Sequence, residues 1–129
     1  MKKLLLTVVL LLVLSSDCFA FDDWSKLDVA FETAYVIVTV IDWGQTLDIA
    51  KRPNQYSEIN PFLGKHPSVD LVNTFIPISI AGHILISALI PNDCEIFSMK
   101  CRTLWQSVTL GAESYMVVNN FNIGLRMNF

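Results

Sequence analysis

Residues 71–90 form a run of 20 residues with no Asp, Glu, Lys or Arg. As a helix rising 1.5 Å per residue, the run reaches roughly 30 Å, the hydrocarbon thickness of a bilayer. This stretch constrains the fold more than any other feature. Ser68 suits the N-cap of such a helix, and Asp70 suits its first turn, where the backbone dipole favours negative charge. Pro77 falls inside the run and predicts a kink, which membranes tolerate when neighbours re-satisfy the freed backbone groups.

Composition agrees with a membrane setting. Hydrophobic residues make up 53% of the 129, charged residues only 16%, and the mean hydropathy is +0.48. Disorder needs the opposite balance. A net charge of −3 gives no basic face for phosphate backbones, so nucleic acid is excluded as a partner.

The first 20 residues read as a secretory signal. Lys2 and Lys3 precede an apolar run over residues 4–14, and Ala20 closes the polar stretch after it. Cleavage after Ala20 leaves a mature chain, 21–129, as one transmembrane helical domain. An uncleaved anchor is the alternative. Lipidation at Cys18 is disfavoured because Asp17, not a small residue, precedes it. Removing Cys18 leaves Cys94 and Cys101, an even number in an exported chain, spaced for a disulfide around a short polar hairpin over 91–102.

The fold expected is all-α, a bundle of about three transmembrane helices over 27–50, 69–90 and 103–120. Lys51-Arg52-Pro53 stops the first helix, because proline disfavours a helical residue before it. The signal places the bundle in the inner (cytoplasmic) membrane with the mature N-terminus periplasmic. The inner side then carries Lys51, Arg52, Lys65 and Arg126, and the outer side Lys26, Lys100 and Arg102, a slight positive-inside bias.

The first and third helices are too polar to face lipid all round. Asp28, Glu32, Tyr35, Thr39, Asp42 and Thr46 recur at spacings of four and three, which puts them on one helical face. Arg102, Gln106, Thr109, Glu113 and Asn120 do the same, and Asn73, Ser79, His83 and Ser87 form a looser stripe. Charge in a bilayer costs about 2.5–3.5 kcal/mol per group even on lenient scales, so these faces should turn toward one another. Depth sorts them into an outer cluster of Glu32, His83 and Glu113 and an inner one of Asp42, Gln45, Asn73 and Asn120. The loop over 51–68 offers Glu58, Asn60, Pro61 and His66 as contact residues.

Each cluster has a structural reading, as an ion pair holding helices together, and a chemical one, as a proton-handling or ligand site. No metal motif and no cofactor motif is present, and a Ser-His pair drawn from Ser79 or Ser87 lacks a glycine-rich elbow.

Three strings stand out: Asp42-Trp43-Gly44-Gln45-Thr46, Glu58-Ile59-Asn60-Pro61-Phe62-Leu63-Gly64-Lys65-His66-Pro67-Ser68, and Asn122-Ile123-Gly124-Leu125-Arg126-Met127-Asn128-Phe129. With them the chain resembles a family of small uncharacterised membrane proteins of Gram-negative bacteria and their phages. The resemblance implies topology only and carries no catalytic residue. Within the last string Phe121, Ile123, Leu125, Met127 and Phe129 alternate, as the closing strand of an outer-membrane barrel does. The continuous apolar run over 75–90 speaks against a barrel.

The function expected is that of a non-enzymatic accessory protein in the bilayer, binding another membrane protein or a second copy of itself. A holin-like pore former and an intramembrane hydrolase or proton-linked carrier are the alternatives.

Overall fold

The computed structural model describes residues 23–129. The expected signal segment, its cleavage site and Cys18 lie outside these residues. Three helices dominate: α1 (Lys26–Lys51), α2 (Val69–Leu89) and α3 (Cys101–Asn122). A two-stranded hairpin, β1 (Glu95–Ile96) and β2 (Met99–Lys100), joins α2 to α3. Among the described residues there is no barrel. The alternating tail after α3 is not a strand; it runs extended along α1, where the Asn128 N–H donates to the Gly44 carbonyl (3.0 Å).

Local chemistry sets the helix ends. Ser25 opens α1 with a reciprocal cap: its hydroxyl accepts from the Asp28 N–H, and the Asp28 carboxylate accepts from the Ser25 N–H. Ser68 accepts from the Leu71 N–H to open α2, which carries Pro77 in its interior. α3 ends in a Schellman turn. Gly124 takes φ +94°, and the Leu125 and Gly124 N–H groups donate to the Asn120 and Phe121 carbonyls. The turn buries Leu125 and sends the chain back over α1.

In the hairpin, Glu95 faces Lys100 and Ile96 faces Met99. Its two turn residues, Phe97 and Ser98, both have positive φ (51° and 63°), the backbone that a tight hairpin requires. Cys94 and Cys101 close its base as a disulfide. α3 starts at Cys101, earlier than the polar residues suggest, because β2 feeds into it directly.

α1 is the central element. It packs along both α2 and α3, which touch each other little. At one end, hereafter the loop end, Leu47, Leu63, Val72, Ile76 and Ile80 form an apolar core. Most of the remaining interior is polar: Asp28, Glu32, Thr39, Gln45, Thr46, Asp48, His83, Ser87, Arg102, Gln106 and Asn120 are all buried. Among the described residues, only α2 is long and apolar enough to cross a membrane. α1 and α3 fall short because their interior-facing polar residues count against them.

Candidate functional site

The buried polar residues form layers along α1. The middle layer centres on Glu32, which is 6% exposed. One of its carboxylate oxygens meets His83 Nδ1 at 2.8 Å; the other accepts from Ser87 Oγ and Gln106 Nε2, both at 2.8 Å. His83 Nε2 lies 2.8 Å from Thr109 Oγ1. The Thr109 hydroxyl has a single proton, and the Trp105 and Gln106 carbonyls stand at 2.9 and 3.1 Å to take it. Both ring nitrogens of His83 are thus engaged, one by the Glu32 carboxylate and the other by the Thr109 hydroxyl. The ring lies between Tyr35, stacked at 3.6 Å, and Trp105, stacked at 5.1 Å.

Toward the hairpin end, the Arg102 guanidinium caps α2. It is 4% exposed and donates to the carbonyls of Ser87 (2.8 Å) and Ile90 (2.7 Å) and to Asn92 Oδ1 (2.9 Å). Asp28 stands 3.7 Å away as its counter-charge. Toward the loop end, Asp42 accepts from Asn120 Nδ2 (3.0 Å) and Thr46 Oγ1 (3.4 Å). Gln45 Nε2 donates to the Val117 carbonyl of α3 (3.2 Å).

The expected clusters are therefore met in part. Glu32 and His83 are joined. Glu113 is half-buried and adjoins Thr39 without a hydrogen bond to the His83 ring, whose second nitrogen goes to Thr109. Asp42 and Asn120 are joined, but Asn73 accepts from Trp43 Nε1 (3.0 Å) instead. Ser87 Oγ donates to Glu32 and Ser79 Oγ to the Ile76 carbonyl, so neither hydroxyl faces His83 as a nucleophile. Among the described residues no group of three or more His, Cys, Asp or Glu could hold a metal ion.

The loop is built from its own polar side chains. Glu58 accepts from the Ile59 and Asn60 N–H groups, both at 2.9 Å, and Asn60 Oδ1 accepts from the Phe62 N–H at 3.0 Å. The Leu63 and Gly64 N–H groups return to the Asn60 carbonyl, with Gly64 at φ +72°. These bonds turn Leu63 into the core and leave Phe62 79% exposed, its ring stacked at 6.1 Å on Phe75. Pro61 and His66 are exposed beside it. Glu58 and Asn60 thus shape the loop, and the outward surface is Ile59, Pro61, Phe62 and His66.

One site escaped the sequence reading. Asp48, 2% exposed near the end of α1, accepts from both Arg52 Nε (2.9 Å) and Arg52 Nη2, from the Arg126 N–H (3.0 Å) and from Asn128 Nδ2 (3.1 Å). Lys51 Nζ holds the Asn128 carbonyl at 2.6 Å. Its hydrogen bonds to Asp48 hold the Arg52 guanidinium above its ordinary pKa, and the Tyr56 ring lies 4.7 Å beneath it. The i, i+4 spacing of Asp48 and Arg52 was a signal; the tail's return to them was not. No protein-family model, curated protein or solved structure matches the chain.

Proposed function

We propose that this chain is a small integral membrane protein that acts without catalysis, by binding another membrane component, as its resemblance to small membrane proteins of Gram-negative bacteria and their phages suggests. The observation that carries this reading is the direction of its polarity. From Val29 to Ala50, Leu71 to Leu89 and Leu104 to Phe121, no charged residue is exposed. The exposed positions are almost all apolar, among them Ile37, Ile78, Leu85, Val108 and Val118. The two exposed threonines, Thr33 and Thr74, donate their hydroxyls to the helix carbonyls of Val29 and Asp70. Such a surface is costly in water and suited to hydrocarbon, where every polar group must find its partner inside the protein.

Orientation is supported by the same side chains. Arg102 is buried as the cap of α2, so the exposed cations of the hairpin end are Lys26 and Lys100, against Lys51, Lys65 and Arg126 at the loop end, with Arg52 part-exposed beside them. The loop end is then cytoplasmic. The disulfide sits at the opposite end, on the side of an oxidising compartment.

Binding rather than catalysis is the role because the Glu32–His83 layer is closed. Both carboxylate oxygens of Glu32 and both ring nitrogens of His83 are engaged within the bundle, and no serine hydroxyl is aimed at the imidazole. A pore former would need a polar stripe left open for copies to line a lesion; here the stripes meet within one chain. The contact surface of this reading is the loop, where Ile59 and Phe62 stand outward on a hydrogen-bonded turn.

Alkaline carbonate washing tests the membrane half. The chain should stay with the membrane pellet, and release into the supernatant contradicts the reading. A photo-crosslinking residue at position 62 tests the binding half. It should give one discrete adduct in membranes that the same group at position 26 does not, with the membrane potential intact during expression. No adduct at position 62, or loss of potential, would rule out this role.

A further inference from the structure

The tail and the end of α1 border an open cavity of about 410 Å³ lined by Asp48, Arg52, Gly124, Arg126, Met127 and Asn128. Its volume falls in the usual range for ligand pockets, about 300–1,000 Å³. We propose that this cavity binds a phosphate group between Arg126 and Arg52.

Charge and geometry make the case. Asp48 is the only acid in the wall, and both its oxygens are already engaged by Arg52, the Arg126 N–H and Asn128. It has no free acceptor to offer a cationic ligand. Arg52 is fixed from two sides, by Asp48 and by the Tyr56 ring, and its Nη1 has only a 3.5 Å approach to Gln55. Arg126 has its backbone pinned to Asp48, yet among the described residues its guanidinium meets no carboxylate. Lys51 lies next to the cavity on Asn128. Among the lining residues two guanidiniums stand against one carboxylate that Arg52 already engages, so the charge of Arg126 leaves the pocket net positive, and a planar guanidinium suits phosphate oxygens.

The source of the phosphate rests on the membrane reading. With the loop end cytoplasmic, the cavity opens at the height of lipid headgroups, on the leaflet where anionic lipids draw basic residues. A soluble phosphate would fit the same donors.

The test uses the full chain purified in a neutral detergent, with native mass spectrometry and thermal unfolding as readouts. Phosphatidylglycerol, phosphatidylcholine and inorganic phosphate are added in separate arms. Arg126→Gln is the variant, because among the described residues the Arg126 side chain makes no hydrogen bond or ion pair, and its backbone bond to Asp48 survives the change. Lys26→Gln at the far end is the control. Phosphatidylglycerol should raise the unfolding temperature and persist as an adduct, phosphatidylcholine should not, and R126Q should weaken the effect at least about tenfold while K26Q leaves it intact. Inorganic phosphate acting equally, with the same loss in R126Q, supports the site with a soluble source. Binding of neither anion, or binding that R126Q leaves unchanged, overturns the proposal. Carbonate washing reads membrane residence independently, so failure here is distinguishable from failure of the membrane reading.

Discussion

At the scale of single residues, Glu32 and His83 hold the middle of the bundle together. Each is the other's main partner: removing His83 strands the Glu32 carboxylate, and removing Glu32 leaves a buried ring nitrogen unmet. Breaking a buried pair in this way costs about 3–5 kcal/mol. Glu32→Ala and His83→Ala should each destabilise the purified protein by that order, measured by unfolding in micelles. The double variant should lose less than the two losses added, because the stranded charge goes with its partner. Fully additive losses would mean that the two groups are not coupled. Gly44 makes a second residue-scale prediction. A Cβ there would lie 2.9 Å from Met127 Cβ and 3.0 Å from the Phe129 ring. Gly44→Ala should push the tail off α1 and speed tryptic cleavage at Arg126, and unchanged cleavage would place the tail elsewhere. Helical spacing brought Glu32, His83, Asp42 and Asn120 onto facing stripes in the sequence. It could not say which stripe members meet, since a shift of about one turn along α3 exchanges Thr109 for Glu113, four residues on along the same face, beside His83. Asp48 stayed hidden because its partners come from the tail and are mostly backbone and amide groups.

At the scale of elements, Arg102 holds the end of α2. Three donor groups of one planar guanidinium reach two carbonyls and an amide oxygen. A lysine cannot reproduce that fork. Arg102→Lys should therefore fail to restore what Arg102→Ala loses, and hydrogen exchange in the last turn of α2 should rise in both. Protection retained in the lysine variant would contradict the capping role. Ser25→Ala should cost about 1 kcal/mol through loss of the reciprocal cap, seen as fraying of the first turn of α1. The helices were the legible part of the fold. Their stops are chemical: Ser68 before α2, Lys51-Arg52-Pro53 after α1, Gly124 after α3. The tail was the ambiguous part, because its alternation fits a strand and also fits an extended segment with Leu125 buried and its backbone hydrogen-bonded to Gly44. Only the Schellman turn at Gly124, which reverses the chain onto α1, decides between them.

At the scale of the whole molecule, the protein has its polarity reversed. The interior holds four acids, an arginine and a histidine among amides and hydroxyls, counting Asp42 with the buried groups; the flanks of the helices are apolar. Composition alone hides this, because a polar residue lowers the hydropathy of its helix whichever way it points. That is why α2 alone looks like a span while α1 and α3 share its apolar exterior. The most direct measurement is the accessibility of single spin labels at positions 37, 78, 85, 108 and 118 in reconstituted bilayers. The account predicts that oxygen, which concentrates in hydrocarbon, reaches all five while a water-soluble nickel chelate reaches none. Ready contact with the chelate at these positions would show that the apolar flanks face water, and the account would fail.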